Sequence, residues 1–240
     1  MTGGGAHTGA GGAGSAPVPL ALPLRGPVRV VNSPADRVPS HGTELFGLGH
    51  AVDLVPVDAR GRSARRDLRS WLREEPPDRF VGLGQPVRAP AAGTVVAAHD
   101  GEPDGPARRA PLARLRYAAT QVQRVRAGIE AVAGNHVVVE LAGGRGYLWV
   151  VHLRRGSVRA VVGNRVVAGD LLGECGSSGN ATEPHVHLHV ADVLDPDRAR
   201  GVPIVLTGYR VRHPAGGGPV AAGMPRTGEV VEPVADGSTP

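Results

Sequence analysis

The chain has 240 residues, which is enough for one large domain or two small ones with a sizeable core. Its formal net charge is +5, but all 27 basic residues are arginines that are interleaved with acidic residues, so nucleic-acid binding is not expected. Aromatic residues make up only 3% of the chain, and the 36 Gly and 22 Pro residues favour β-structure with many turns over a helical bundle.

Cysteine usage and hydropathy add three exclusions. Cys175 is the only cysteine, so an intramolecular disulfide is impossible. No apolar stretch approaches the length of a membrane span, and the N-terminus has no basic region followed by an apolar segment of the kind that forms a secretory signal. By these signals alone we expect a cytoplasmic chain without an integral membrane segment, and they leave the oligomeric state open.

Low-complexity segments flank the central part of the chain. Residues 1–16 are rich in Gly and Ala and residues 215–240 in Gly and Pro, so both are predicted to be disordered tails. Residues 17–214 are predicted to form one β domain. Two stretches, 59–80 and about 100–133, interrupt its strands with charged residues at helical spacing. We therefore expect an antiparallel β-sheet with two partly helical insertions.

Strands are predicted where short runs rich in Val and Leu are bounded by Gly, Pro or Asn. In chain order these runs are 27–31, 51–57, 87–98 with a turn inside it, 137–141, 147–153, 157–161, 170–173, 183–190, 204–206 and 209–211.

The run 183–190 is the most informative of these strands. His185, His187 and His189 alternate with apolar residues, so the three imidazoles project from one face of the strand. Imidazole is the commonest side-chain ligand of zinc, whereas three neighbouring imidazoles are difficult to explain as packing. The pattern predicts a metal site beside this strand.

The remaining ligands must come from elsewhere, because a catalytic zinc commonly has three protein ligands and an open position for water. Asp53 is the leading candidate, since a carboxylate within the apolar run 51–57 needs a partner if it is buried. Either His41 or His50, both shortly upstream, can provide the third ligand.

Several short motifs, in a fixed order, resemble those of the M23 family of zinc metallopeptidases, the LytM/lysostaphin-like endopeptidases. Together they span roughly residues 20–212. The matching segments are Ser40-His41-Gly42-Thr43 with Ala51-Val52-Asp53, the hairpin at 82–95, Tyr147 through His152-Leu153 with Gly156-Ser157, and the glycine turn at 169–180 followed by Glu183-Pro184-His185-Val186-His187.

The resemblance implies a β-sheet domain of the lysostaphin/LytM type, known as a duplicated hybrid motif. It implies that His41, Asp53 and His187 bind a zinc ion and that His152 and His185 are catalytic without being ligands. The implied activity is hydrolysis of peptide cross-links in bacterial peptidoglycan by a metal-activated water. Such a substrate lies in the cell envelope or outside the cell.

The chain departs from the family pattern at two positions. The family's compact motif places His four residues before Asp. In this chain His41 lies twelve residues before Asp53, and His50 lies three residues before Asp53. His41 is favoured because it stands in the matching Ser-His-Gly-Thr context, but His50 remains an alternative. His189 lies one step beyond the usual His pair and receives no role.

Two other functions compete with peptidase activity. A domain of this family without hydrolytic activity would bind cell wall or regulate a partner, but every expected ligand position is filled, which favours an enzyme. The run 87–95 also resembles the hairpin of biotinyl and lipoyl carrier domains. Those domains attach their cofactor to a lysine, and this chain contains none.

Overall fold

The computed structural model describes residues 16–119, 121–126, 128–212 and 217–234. The strands in these residues are β1 Val18–Ala21, β2 Val28–Val31, β3 Val52–Pro56, β4 Pro86–Arg88, β5 Gly93–His99, β6 Asn135–Leu141, β7 Tyr147–Leu153, β8 Arg165–Val166, β9 Leu171–Glu174, β10 Val186–Ala191, β11 Gly201–Val202, β12 Ile204–Val211, β13 Pro219–Gly223 and β14 Val230–Pro233. The α-helices are α1 Leu68–Leu72, α2 Pro111–Ala119, α3 Gln121–Arg126 and α4 Ile129–Ala133, and two 3-10 segments cover Leu45–His50 and Pro77–Arg79.

One large sheet contains twelve of the described strands, in the order β1-β12-β14-β2-β3-β10-β7-β6-β5-β8, with β11 beside β10 and β13 beside β12. Strands β4 and β9 form a separate pair. The predicted mainly β fold is confirmed. The sheet is mixed and not purely antiparallel, because β1 runs parallel to β12.

Strand β10 lies between β3 and β7, and its two faces pack against different parts of the chain. Val186, Leu188 and Val190 are fully buried in the main hydrophobic core. The opposite face carries the histidines, and the 3-10 segment Leu45–His50 lies close to it. Gly47 permits this approach: its φ is +76°, and a Cβ there would lie 3.1 Å from Cβ of Ala191.

The two predicted insertions contain the four α-helices and pack against each other. Glu75, in the first insertion, is 1% exposed, and Arg109, in the second, binds both of its carboxylate oxygens at 2.7 and 2.8 Å. A backbone bridge between Glu75 and Ala107 reinforces this contact. None of the described helices has the length and apolar character needed to cross a membrane.

The C-terminal segment differs from its prediction. Residues 217–234 fall within the tail that was expected to be disordered from 215 onward, yet they supply β13 and β14. β14 fills the gap between β12 and β2, and Val231 is fully buried. Low-complexity composition suggested disorder, but backbone pairing to two strand edges and a few valines are sufficient to order the segment. The predicted N-terminal tail, 1–16, lies outside the described residues except for Ala16.

The burial of β10 predicts a large effect of truncating Leu188, which is 0% exposed. Leu188→Ala should reduce the free energy of unfolding by about 2–5 kcal/mol, because it leaves a cavity in the main core. Leu115, 68% exposed on α2, is the matched control, and Leu115→Ala should change stability by less than about 0.5 kcal/mol. Denaturant titrations of both variants test this, and equal losses would contradict the packing described above.

Candidate metal centre

The carboxylate of Asp53 is at the centre of the site. Asp53 on β3 is the direct register partner of His187 on β10, which brings Asp53 Oδ1 within 2.8 Å of His187 Nδ1. Its other oxygen, Oδ2, lies 3.1 Å from His41 Nε2 and accepts a hydrogen bond of 2.7 Å from the Asn32 side chain. Three side chains far apart in the sequence therefore meet at one buried carboxylate.

The geometry groups His41, and not His50, with Asp53 and His187. Within the described residues, one group of three His, Cys, Asp or Glu side chains has ligand atoms close enough together for a single ion, and it comprises His41, Asp53 and His187. These ligand atoms all lie within 4.8 Å of one another. His50 is at the end of the 3-10 segment and is not part of this group.

The hydrogen bonds around His41 indicate that a cation fits here. The Ser40 hydroxyl donates its only proton to the Leu48 carbonyl, so its oxygen must accept the Nδ1–H of His41, 3.1 Å away. A neutral His41 then directs the lone pair of Nε2 at the Asp53 carboxylate. Two acceptors facing each other repel, and a metal ion between them removes the repulsion. Two imidazoles and one carboxylate are a typical ligand set for zinc.

His152 and His185 lie beside this group, with their ring centroids 4.6 Å apart. His152 Nδ1 donates to the Ser178 carbonyl at 2.9 Å, and His185 Nδ1 donates to the Glu183 carbonyl at 2.8 Å. In each neutral ring the free lone pair is therefore on Nε2. His152 has φ +66°, an unusual conformation for a residue with a side chain, and such strain occurs mostly at functional sites.

Burial and the carboxylate have opposite effects on the charges of the site. Burial alone would raise the pKa of Asp53, but the surrounding imidazoles hold that pKa well below its usual value. Burial lowers the pKa of His187, and lowers the pKa of His152 and His189 much further. For His185, burial is outweighed by attraction to Asp53, so its pKa is raised. The centre thus combines an ionised carboxylate with largely neutral imidazoles, which is the protonation state that binds a metal.

A cleft of about 230 Å³ opens over these groups. His41, Asp53, His152, His185, His187 and His189 all line it. Its apolar walls come from the 3-10 segment, through Leu45 and Leu48, and from α4, through Ile129 and Val132, with Trp149 of β7 also contributing. The predicted site residues therefore share one concave surface that is open to a ligand.

The chain matches the model of Peptidase family M23 over residues 116–198. This range contains His152 and the His185-to-His189 strand, and the resemblance to that family was inferred from the motifs of the sequence. The chain contains an M23 family peptidase domain. His41 and Asp53 lie outside the matched range, so their place in the centre is supported by the geometry and not by the family match.

Solved structures of similar chains include the catalytic domain of the antimicrobial peptidase lysostaphin from Staphylococcus simulans, with 23% identity, a TM-score of 0.33, and 51% of this chain and 70% of that chain covered. A variant of the catalytic domain of the prophage-encoded M23 protein EnpA from Enterococcus faecalis has 22% identity, a TM-score of 0.34 and coverages of 51% and 69%. A zinc-containing peptidase from Vibrio cholerae has 16% identity, a TM-score of 0.32 and coverages of 63% and 45%. Identities and TM-scores at this level do not transfer chemistry from one chain to another.

His189, which the sequence left without a role, contacts the centre of the M23 domain directly. Its Nδ1 lies 3.1 Å from Nε2 of His187, and its ring stacks on Trp149 at 5.6 Å with an interplanar angle of 12°. If His189 Nδ1 accepts the Nε2–H of His187, the Nδ1 lone pair of His187 remains free for a metal. This arrangement of a ligand histidine held through its other nitrogen is common in metal sites.

Sequence reasoning missed several supporting groups of the M23 domain. Asn32 and the Ser40 hydroxyl orient Asp53 and His41, and the carbonyls of Ser178 and Glu183 orient the two other histidines. A backbone carbonyl leaves no sequence signal, and Asn32 is 21 residues from its partner.

The contact between His189 and His187 predicts an effect on metal affinity. His189→Leu should weaken Zn²⁺ binding about 10- to 100-fold, because the orientation and tautomer of His187 are no longer fixed. His189→Asn places an amide oxygen near the position of Nδ1 and should restore most of the affinity. Competition with a chromophoric chelator measures both, and unchanged affinity in His189→Leu would exclude the positioning role.

Proposed function

We propose that the chain is a zinc-dependent endopeptidase that hydrolyses peptide cross-links of bacterial peptidoglycan. In this proposal His41, Asp53 and His187 bind the zinc ion, and His152 and His185 are the catalytic histidines. The observation that carries the proposal is the arrangement of these five side chains in one cleft, where a three-ligand group adjoins two histidines whose Nδ1 atoms are held by backbone carbonyls.

Zinc suits the centre because its ligand set is nitrogen, oxygen and nitrogen and because three protein ligands leave a position open. A zinc ion in such a site lowers the pKa of a bound water and polarises a carbonyl group.

The two catalytic histidines hold and move protons at their Nε2 atoms. Each has its Nδ1–H held by a backbone carbonyl, so proton exchange is confined to Nε2 and the ring does not rotate. His185 Nε2 lies 3.5 Å from Asp53 Oδ1, which stabilises a proton on His185. Among the described residues no carboxylate is within ion-pair distance of His152, and burial holds its pKa well below the usual value. His152 therefore suits the role of proton acceptor, and His185 that of proton donor to a developing oxyanion.

The shape and the lining of the cleft support a peptide substrate. The apolar walls and Trp149 limit the water around the reacting groups, which strengthens electrostatic interactions inside the cleft. Membership of the M23 family supports peptidoglycan as the source of the peptide.

Removing the metal should abolish the activity. Purified full-length chain should hold about one zinc per molecule and release soluble peptides from purified peptidoglycan, and a chelator should stop the release until zinc is restored. His187→Ala and Asp53→Ala should each lose the bound zinc together with the activity. Mass spectrometry of the products and elemental analysis of the protein measure these outcomes. Cell-wall binding without any released peptide would indicate a non-hydrolytic domain instead.

A variant of His152 should separate catalysis from metal binding. We expect His152→Asn to keep its zinc and lose activity by roughly 10²- to 10⁴-fold, the usual contribution of an acid–base group. Asn is chosen because it tolerates the positive φ at this position better than Ala does. His50→Ala is the control, because His50 is outside the ligand group, and it should retain activity. Loss of zinc from His152→Asn would place His152 among the ligands.

A further inference from the structure

A second cavity, of about 410 Å³, has a lining rich in arginine. Its charged side chains come from β2, from the first insertion, from the segment before α2 and from the residues before β10. They are Arg29, Arg62, Arg66, Arg108, Arg109 and the carboxylate of Glu183. The arginines are scattered over eighty residues of sequence, so no basic run identifies this cavity beforehand.

Only some of these arginines have acidic partners. Arg108 pairs with Glu74 at 3.0 Å, and Arg109 pairs with the buried Glu75. Among the described residues, no carboxylate is within ion-pair distance of the other three arginines of the cavity, Arg29, Arg62 and Arg66.

The nearby carboxylates offset only part of this charge. Glu183 accepts a hydrogen bond from the Ser63 hydroxyl, and Asp58 accepts the backbone N–H groups of Arg60 and Arg62. Arg29 donates to the carbonyl of Gly61, at 3.3 Å. The cavity is therefore a concave surface with an excess of positive charge, which attracts anions.

The arginine-lined cavity adjoins the cleft of the metal centre. Thr182 lines both cavities. The next residue, Glu183, lines the arginine cavity with its side chain and holds His185 through its carbonyl. A chain that occupies the cleft in an extended conformation can therefore place a nearby side chain or terminus in the arginine cavity.

We propose that this cavity binds a carboxylate carried by the peptide substrate, a few residues from the bond that is cut. The proposal depends on the proposed function for the reaction, but the binding itself needs no catalysis. Arg is the side chain best suited to a carboxylate, because its planar fork can donate two parallel hydrogen bonds. A peptide carboxylate is favoured over a free anion because the cavity shares Thr182 with the substrate cleft.

The test compares charged and neutral peptides of the same shape. In a series of fluorescently labelled hexaglycine peptides, glutamate or glutamine replaces each glycine in turn. Fluorescence anisotropy with the zinc-loaded, full-length His152→Asn chain measures binding without consuming the peptide. At one position or two adjacent ones, the glutamate peptide should bind roughly tenfold more tightly than its glutamine partner, and added salt should reduce this preference.

Three arginine variants test whether the preference for glutamate arises in this cavity. Arg66→Gln should weaken the preference for glutamate, and Arg29→Gln with Arg66→Gln should abolish it. Arg66 is exposed, so its variant keeps the test valid if the change at Arg29 on β2 impairs folding. Arg165→Gln is the matched control, because Arg165 is exposed on β8 and outside the cavity, and it should keep the full preference.

Several results would overturn the proposal. Equal binding of the two peptides at every position would do so, as would a preference that survives the double variant or that falls equally in Arg165→Gln. Displacement of the glutamate peptide by millimolar inorganic phosphate, but not by acetate, would identify a phosphate site instead. A glutamate preference in a chain whose wild type cleaves nothing would refute the proposed function and leave the cavity assignment standing. Cleavage without any preference would refute the cavity assignment alone.

Discussion

The pairing of β3 with β10 is the constraint on which the site depends, because it places the Asp53 carboxylate opposite His187. A buried carboxylate is costly unless hydrogen bonds or opposite charges compensate for the lost hydration. Here Asn32 and the imidazoles around Asp53 supply that compensation, and the imidazoles hold its pKa low. A slip of one residue in this register would turn the histidines of β10 towards the hydrophobic core, so the core valines and the metal centre require the same pairing.

Both faces of β10 are covered by other parts of the chain. The second insertion and the 3-10 segment cover the face that carries the histidines, so they affect the chemistry of the site. One face packs into the core, while Leu45–His50 and α4 supply walls of the cleft over the other. Neutral imidazoles tolerate such burial better than charged ones, which is why His152, His187 and His189 all have lowered pKa values. The same cover limits the access of water to the groups proposed to react. Parts of the chain outside the β10 strand motif thus set the electrostatic conditions at the centre.

The alternation of residues along a single strand could be predicted from the sequence. Contacts that depend on the path of the chain between strands could not. Alternation fixed the shared face of His185, His187 and His189, and the apolar setting of Asp53 indicated its need for a partner. The choice between His41 and His50 depends on how a twelve-residue loop returns to β3, and only the structure shows that path. The C-terminal strands β13 and β14 were missed because their conformation is held by pairing with the edges of other strands. The arginine cavity was missed because Arg29 and Arg109 are 80 residues apart.

The two adjoining cavities carry different kinds of charged group. The proposed binding of an acidic peptide and the proposed reaction at the metal centre therefore depend on different residues. At the metal centre, the proposed chemistry depends on imidazoles whose pKa values are shifted by burial and by Asp53, downward for His152 and upward for His185. In the neighbouring cavity the charges are guanidinium groups, which remain protonated at any pH at which the fold survives. Acidification would therefore protonate the groups proposed to bind metal and move protons well before it changed the charge of the arginines. An anchor of this kind holds an acidic peptide beside the centre whether or not the centre is competent to cut it.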